Sequence, residues 1–131
     1  MSLRPQSPAT RAVRVMTVDD QEMFRAIARD VIDATPGFEA IGEATSGEEA
    51  LEAVERLAPE LVLIDVRMPG MNGIEVARRL VATHPNIVVV LISIEERVDV
   101  PSAAQLAAVP FVRKQDFGPR LLRRLWSEHR R

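Results

Sequence analysis

The sequence predicts an α/β domain: a single doubly wound parallel sheet of five strands with helices on both faces. Two observations predict it. Short apolar, β-branched runs alternate with longer segments whose apolar positions recur at helical spacing. The most apolar run, IVVVLI at 87–92, shows no polar alternation, as expected of a strand covered on both faces. Residues 12–128 read as one domain without repeat or internal linker, preceded by a flexible tail at 1–11 and followed by a basic end at 129–131.

Each element has its own signal. VRVMTV at 13–18 is the first strand and stops at Asp19-Asp20. Residues 21–34 carry Phe24, Ile27, Ala28, Val31 and Ile32 on one helical face, and Pro36-Gly37 ends that helix. FEAIGEA at 38–44 is partly polar and reads as an edge strand. Ser46 to Glu49 has the Ser-x-x-Glu form of a capping box; it opens a helix with Ala50, Leu51, Val54, Leu57 and Ala58 inward, stopped by Pro59. The third strand is 61–65. The next helix, 73–84, turns Val76, Ala77, Leu80 and Val81 inward and ends at Pro85. After the fourth strand, 87–92, a short fourth helix is expected to start near Ser102, because Pro101 falls inside the segment. Phe111-Val112 is the fifth strand. Asp116 is expected to cap the last helix, with Pro119 in its first turn and Leu121, Leu122, Leu125 and Trp126 as its apolar stripe.

Composition removes several functional classes. There is no cysteine, which excludes a disulfide framework, thiolate metal sites and a cysteine nucleophile. No apolar run approaches the ~20 residues of a membrane span, and residues 1–11 lack the apolar stretch of a signal peptide; a cytoplasmic location is expected. The net charge of −2 does not point to nucleic acid. Residues 113–131 do hold seven Lys and Arg against Asp116 and Glu128, but without interleaved aromatics or a helix-turn-helix they read as a solvated helix face or a contact with an acidic partner.

The chemistry is expected at the carboxyl ends of the strands, where open parallel sheets bind ligands. The first strand ends in Asp19-Asp20, the third in Asp65, the fourth in Ser93, and the fifth is followed by Lys114. Any one of these, alone, reads as a turn former, a cap or a solvated cation. Together they converge on one edge. Carboxylates a few ångströms apart repel by roughly 4 kcal/mol per pair at an effective dielectric near 20, a cost that a bound cation relieves. Oxygen donors without His or Cys suit Mg²⁺ or a similar hard ion. The chain has no phosphate-binding glycine loop, and its only histidines, His84 and His129, fall at helix ends. What remains is attack of a carboxylate on a phosphoryl group, with Asp65 as nucleophile, Lys114 and the metal absorbing oxygen charge, and Ser93 donating a hydrogen bond.

Asp19-Asp20, Asp65 in IDVRMPGMNG, Ser93 after IVVVLI and Lys114 in FVRK together resemble the receiver domain of bacterial two-component response regulators, over about residues 12–128. The resemblance implies a flavodoxin-like sheet order of 2-1-3-4-5. It implies Asp65 as phosphoacceptor, and Asp19, Asp20, Asp65 and the Arg67 backbone carbonyl around Mg²⁺. Ser93 and Phe111 match the switch pair, and Lys114 the lysine that pairs with the phosphoryl group. Arg67, Ile94 and Glu95 would flank the opening as a gate. The implied partner is a sensor histidine kinase or phosphotransfer protein. A homodimer through the fourth helix, fifth strand and last helix is a further expectation; the domain is either a stand-alone regulator or part of a longer DNA-binding one, without nucleic-acid or membrane contact of its own. Three positions depart from the family pattern: Ile94 where a small residue is usual, Gln115 where proline is common, and Pro101 in the fourth-helix segment.

Two other functions compete. An aspartate-nucleophile phosphohydrolase needs a second Asp two residues after the nucleophile; Arg67 stands there, so an enzyme is not expected. A degenerate receiver, acting as a phosphorylation-independent interaction module, is the alternative reading, against which the complete five-residue set argues.

Overall fold

In the computed structural model, which describes residues 11–94, 106 and 108–130, β1 (Val13–Val18), β2 (Phe38–Ala44), β3 (Leu61–Asp65), β4 (Val88–Ser93) and β5 (Phe111–Arg113) form one sheet of order β2-β1-β3-β4-β5. All four pairings are parallel, with one irregularity: Val15 and Met16 of β1 face Ala40 and Gly42 of β2, so Ile41 is the extra residue of a bulge in β2. The described helices are α1 (Glu22–Ala34), α2 (Gly47–Leu57), α3 (Gly73–Thr83) and α4 (Pro119–His129). The fourth helix expected near Ser102 lies outside the described residues.

The core has two layers because strand side chains alternate. Met16, Val18, Val62, Ile64, Val89 and Leu91 face α2 and α3, where Ala50, Val54, Val76 and Leu80 meet them. Val15, Leu61, Leu63, Val90 and Ile92 face the other way, onto Phe24, Ala28 and Ile32 of α1 and Leu122 and Leu125 of α4. β3 is buried along its whole length, so its terminal carboxylate is held by a rigid strand.

Several local expectations need correction. Ile27 is 49% exposed: the buried line of α1 runs Phe24, Ala28, Ile32 at spacing four, which rotates Ile27 off the core. Ala58 is an exposed left-handed C-cap (φ 49°), its amide bonded to Val54 O. The capping box is offset. Ser46 Oγ accepts from the Glu49 amide at 3.1 Å, but the Glu49 carboxylate reaches the amide and hydroxyl of Thr45 instead of the Ser46 amide. Asp116 does not cap α4. It closes a 3-10 turn, Lys114–Asp116, and pairs with Arg113 at 3.1 Å; Gly118 is the N-cap and Pro119 occupies the first turn, where its missing N–H costs nothing.

Candidate active site at the carboxyl edge of the sheet

Asp19 is the first residue past β1. Its amide donates to Ala44 O at 3.0 Å, which extends the β1–β2 pairing by one bond. Its carboxylate is buried and divided between two tasks. Oδ1 accepts from the Gln21 amide at 2.8 Å and closes the turn into α1. Oδ2 faces Lys114 Nζ at 2.7 Å as an ion pair and is out of line for a hydrogen bond. Asp20, beside it, is exposed.

Asp65 ends β3 and is 6% exposed. The chain then breaks: Val66 N still bonds to Ile92 O at 3.0 Å, Gly70 turns at φ +74°, and Gly73 N folds back onto Val66 O at 2.9 Å. Gly73 packs against the Asp65 carbonyl so closely that a Cβ there would fall 2.0 Å from its oxygen. The break therefore needs glycine at 73, and it leaves Asp65 at the mouth of the sheet.

One oxygen from each of Asp19, Asp20 and Asp65 falls within 4.8 Å of the others. Burial, reinforced by the Asp19 charge, pushes the Asp65 carboxyl up from 3.8 to about 6. Lys114 and a hydrogen bond from the Arg67 backbone amide oppose the rise, and Asp20 adds to it. An oxygen-only donor set and mutual repulsion among three carboxylates together fit a hard divalent cation.

Lys114 begins the 3-10 turn after β5. Its side chain is only 10% exposed, with Nζ 2.7 Å from Asp19 Oδ2 and 3.7 Å from Asp65 Oδ1. Ser93 is buried at the end of β4, in register with Arg113, and Asp65 is in register with Ile92. The sheet thus brings Asp19, Asp20, Asp65 and Lys114 together, with Ser93 on the strand next to Asp65. Phe111 opens β5, partly buried against the α2–α3 side of the core. Arg67 is exposed two residues past Asp65, and Ile94 is 70% exposed just past Ser93. Glu95, the remaining gate position, lies outside the described residues.

Three contacts are not foreseen by the sequence pattern. Arg25 Nη1 donates to the Asp19 carbonyl at 2.9 Å while its Nε pairs with Glu43 Oε1 at 3.2 Å, tying the β1–α1 turn to the end of β2. The Phe24 ring lies under Lys114, with Nζ 4.6 Å from its centroid. Gly73 reads as an ordinary turn residue, and nothing in its neighbourhood signals contact with Asp65.

Comparison with known proteins agrees with this geometry. The family model "Response regulator receiver domain" matches residues 15–125. The response regulator GacA of Pseudomonas viridiflava is 38% identical over 90 residues, 69% of this chain and 42% of that protein. A protein-glutamate methylesterase/protein-glutamine glutaminase of Geobacillus kaustophilus is 39% identical over 106 residues, 79% of this chain and 30% of that protein. The chain therefore spans less than half the length of these relatives. Among solved structures, the response regulator domain of Thermotoga maritima CheB superposes with a TM-score of 0.74 at 28% identity, covering 89% of this chain and 96% of that one. A DNA-binding response regulator of the LuxR family from Staphylococcus aureus gives 0.74 at 25%, covering 88% and 97%. With the strand order, the carboxylate cluster and the lysine all in the expected places, this chain belongs to the receiver-domain family of two-component response regulators.

Proposed function

We propose that Asp65 accepts a phosphoryl group from a phosphohistidine on a sensor histidine kinase or phosphotransfer protein. The observation that carries the reading is the buried Asp65 carboxylate, raised to about 6, at the mouth of a pocket shared with Asp19, Asp20 and Lys114. A carboxyl with that value is about nine-tenths ionised at pH 7 and more basic than an ordinary aspartate, which suits a nucleophile. An Asp65 oxygen attacks phosphorus, the P–N bond to the donor imidazole breaks, and an acyl phosphate forms on Asp65. The leaving imidazole recovers its proton from solvent. Lys114 moves its ammonium toward the new phosphoryl oxygens, and the Ser93 hydroxyl donates to them.

Mg²⁺ would be held by Asp19, Asp20, Asp65 and the Arg67 backbone carbonyl, and when bound it neutralises charge on the phosphoryl oxygens. The added charge would bias Ser93 and Phe111, and through them the face formed by β5 and α4. That face is where a homodimer would form. The exposed Arg120, Arg123 and Arg124 on α4 suit an acidic partner better than nucleic acid. The domain is read as 12–128 and cytoplasmic; the relatives of which it spans less than half suit a receiver within a longer regulator, with a stand-alone regulator as the other reading. Arg67 occupies the position where a phosphohydrolase of this chemistry carries its acid/base, so the domain is read as a phosphoacceptor and not as such a hydrolase.

The reading is tested by intact mass after incubation with Mg²⁺ and acetyl phosphate. One phosphoryl group should be gained with Mg²⁺ and none with EDTA; no gain under either condition would contradict it.

A further inference from the structure

We propose that Phe24 is a positioning residue for Lys114: its ring face seats the ammonium and lets it pass from Asp19 to Asp65. The proposal rests on the reading of Asp65 as phosphoacceptor and adds a residue to the site which that reading does not use.

Lys114 Nζ stands 4.6 Å above the Phe24 centroid, inside the ~6 Å range of attraction between a cation and an aromatic face. Its side chain is largely withdrawn from water, so the ring takes up a side of the ammonium that solvent would otherwise cover. Among the described residues its ion-pair partners are Asp19 Oδ2 at 2.7 Å and Asp65 Oδ1 at 3.7 Å. At 3.7 Å the Asp65 contact is too long for a hydrogen bond, so a direct bond to the Asp65 side of the site needs a shift of the ammonium away from Asp19.

A lysine head on four flexible bonds has wide rotamer freedom, and a guide for that shift narrows it. A π face provides one, because its attraction is electrostatic and has no fixed hydrogen-bond direction. The ammonium can slide over it and keep the contact. The ring itself is braced. It is buried on the core side of α1 and meets Phe117 at 6.3 Å and 54°, and Phe117 N bonds to Lys114 O at 3.2 Å, within the same turn.

The competing account is that Phe24 only fills the core. Two measurements separate them. Unfolding midpoints of Phe24→Leu, Lys114→Met and the double variant test the resting contact without any phosphorylation. The loss caused by Phe24→Leu should be smaller in the Lys114→Met background by a few degrees; equal losses overturn the proposal. Phosphoryl uptake from acetyl phosphate tests the role. Phe24→Leu should slow it about tenfold with Lys114 present and less than twofold in Lys114→Met. Replacing Phe24 by 4-fluoro- and then 3,4,5-trifluorophenylalanine, which keeps the shape and weakens the π face, should slow it stepwise. A flat fluorine series, or equal slowing in both backgrounds, overturns the proposal. Absence of any uptake by the unaltered chain would instead contradict the phosphoacceptor reading, and the unfolding cycle would still judge the contact.

Discussion

Lys114 Nζ lies a full ångström nearer to Asp19 than to Asp65, at 2.7 against 3.7 Å, so in the resting site the lysine is committed to the carboxylate that does not react. Asp19 keeps the ammonium close to Asp65 without neutralising it completely, so burial and the Asp19 charge hold the Asp65 carboxyl raised despite the nearby cation. Removing the cation leaves two buried carboxylates facing each other. Lys114→Met should therefore destabilise the metal-free protein by ~3 kcal/mol at pH 8, measured by denaturant unfolding. Adding Asp19→Asn should recover a large part of the loss. A Lys114→Met protein as stable as the parent would mean that the ion pair is not held in solution.

The raised carboxyl of Asp65 makes stability depend on pH. The folded state holds this proton up to about 6, whereas the unfolded chain releases it near 3.8. Its contribution is therefore fully present below about 3.8 and is lost as pH rises through about 6. Asp65→Asn removes the charge and should stabilise the metal-free protein at pH 8 by something on the order of 2 kcal/mol. The gain should shrink toward zero near pH 4. Unfolding curves at pH 4, 6 and 8 check it; a gain that did not change with pH would point to packing instead of charge.

Mg²⁺ binds the folded cluster and not the dispersed carboxylates of the unfolded chain, so it should raise the melting temperature with concentration. At a hundred times its dissociation constant the gain is ~2.7 kcal/mol. Asp20→Asn should suppress most of this response while leaving the metal-free protein at least as stable as the parent. Thermal scans with and without Mg²⁺ check both parts. A melting temperature indifferent to Mg²⁺ would mean that the three carboxylates do not form one cation site.

The loop after Asp65 is closed by contact of Gly73 with backbone, which cannot yield as a flexible side-chain tip would. Gly73→Ala should cost at least ~3 kcal/mol, more than the intrinsic preference of a helix for alanine returns. It should also lower Mg²⁺ affinity, because relief comes by pushing Asp65 out of register with Ile92. Equilibrium unfolding and a Mg²⁺ titration measure the two effects, and a neutral substitution would show that the loop is looser than this geometry.

Ile94 is exposed past the end of β4 and does not turn into the core, which leaves its bulk free to obstruct the opening. Ile94→Ala should speed uptake from a small phosphodonor about threefold, ~0.7 kcal/mol of barrier, with little change in stability. An unchanged uptake rate would remove Ile94 from the gate.

Much of this was legible in the chain itself. Runs such as LVLID and IVVVLI announce buried strands, and since catalytic groups in parallel sheets sit at strand ends, Asp19, Asp65, Ser93 and Lys114 could be placed on one edge from their positions alone. The division of Lys114 between two carboxylates was not legible, because it depends on ångström differences between elements distant in sequence. The same holds for Arg25, whose bond to the Asp19 carbonyl depends on Glu43 across the β1–β2 pair. Phe24 was legible only as a core residue, since helical spacing looks the same whether or not a ring carries a cation. Asp116 was misread as a cap because strand β5 runs directly into a 3-10 turn, which uses that residue before α4 begins.

The central claim, that Asp65 is the phosphoacceptor, is tested most directly by locating the added group. The chain is incubated with Mg²⁺ and acetyl phosphate, the acyl phosphate is trapped with borohydride, and the peptides are read by mass spectrometry. The modification should fall on the peptide containing Asp65, at that residue, and disappear in Asp65→Asn. Modification of Ser93 or of another carboxylate in the unaltered chain, or undiminished uptake by Asp65→Asn, would contradict it.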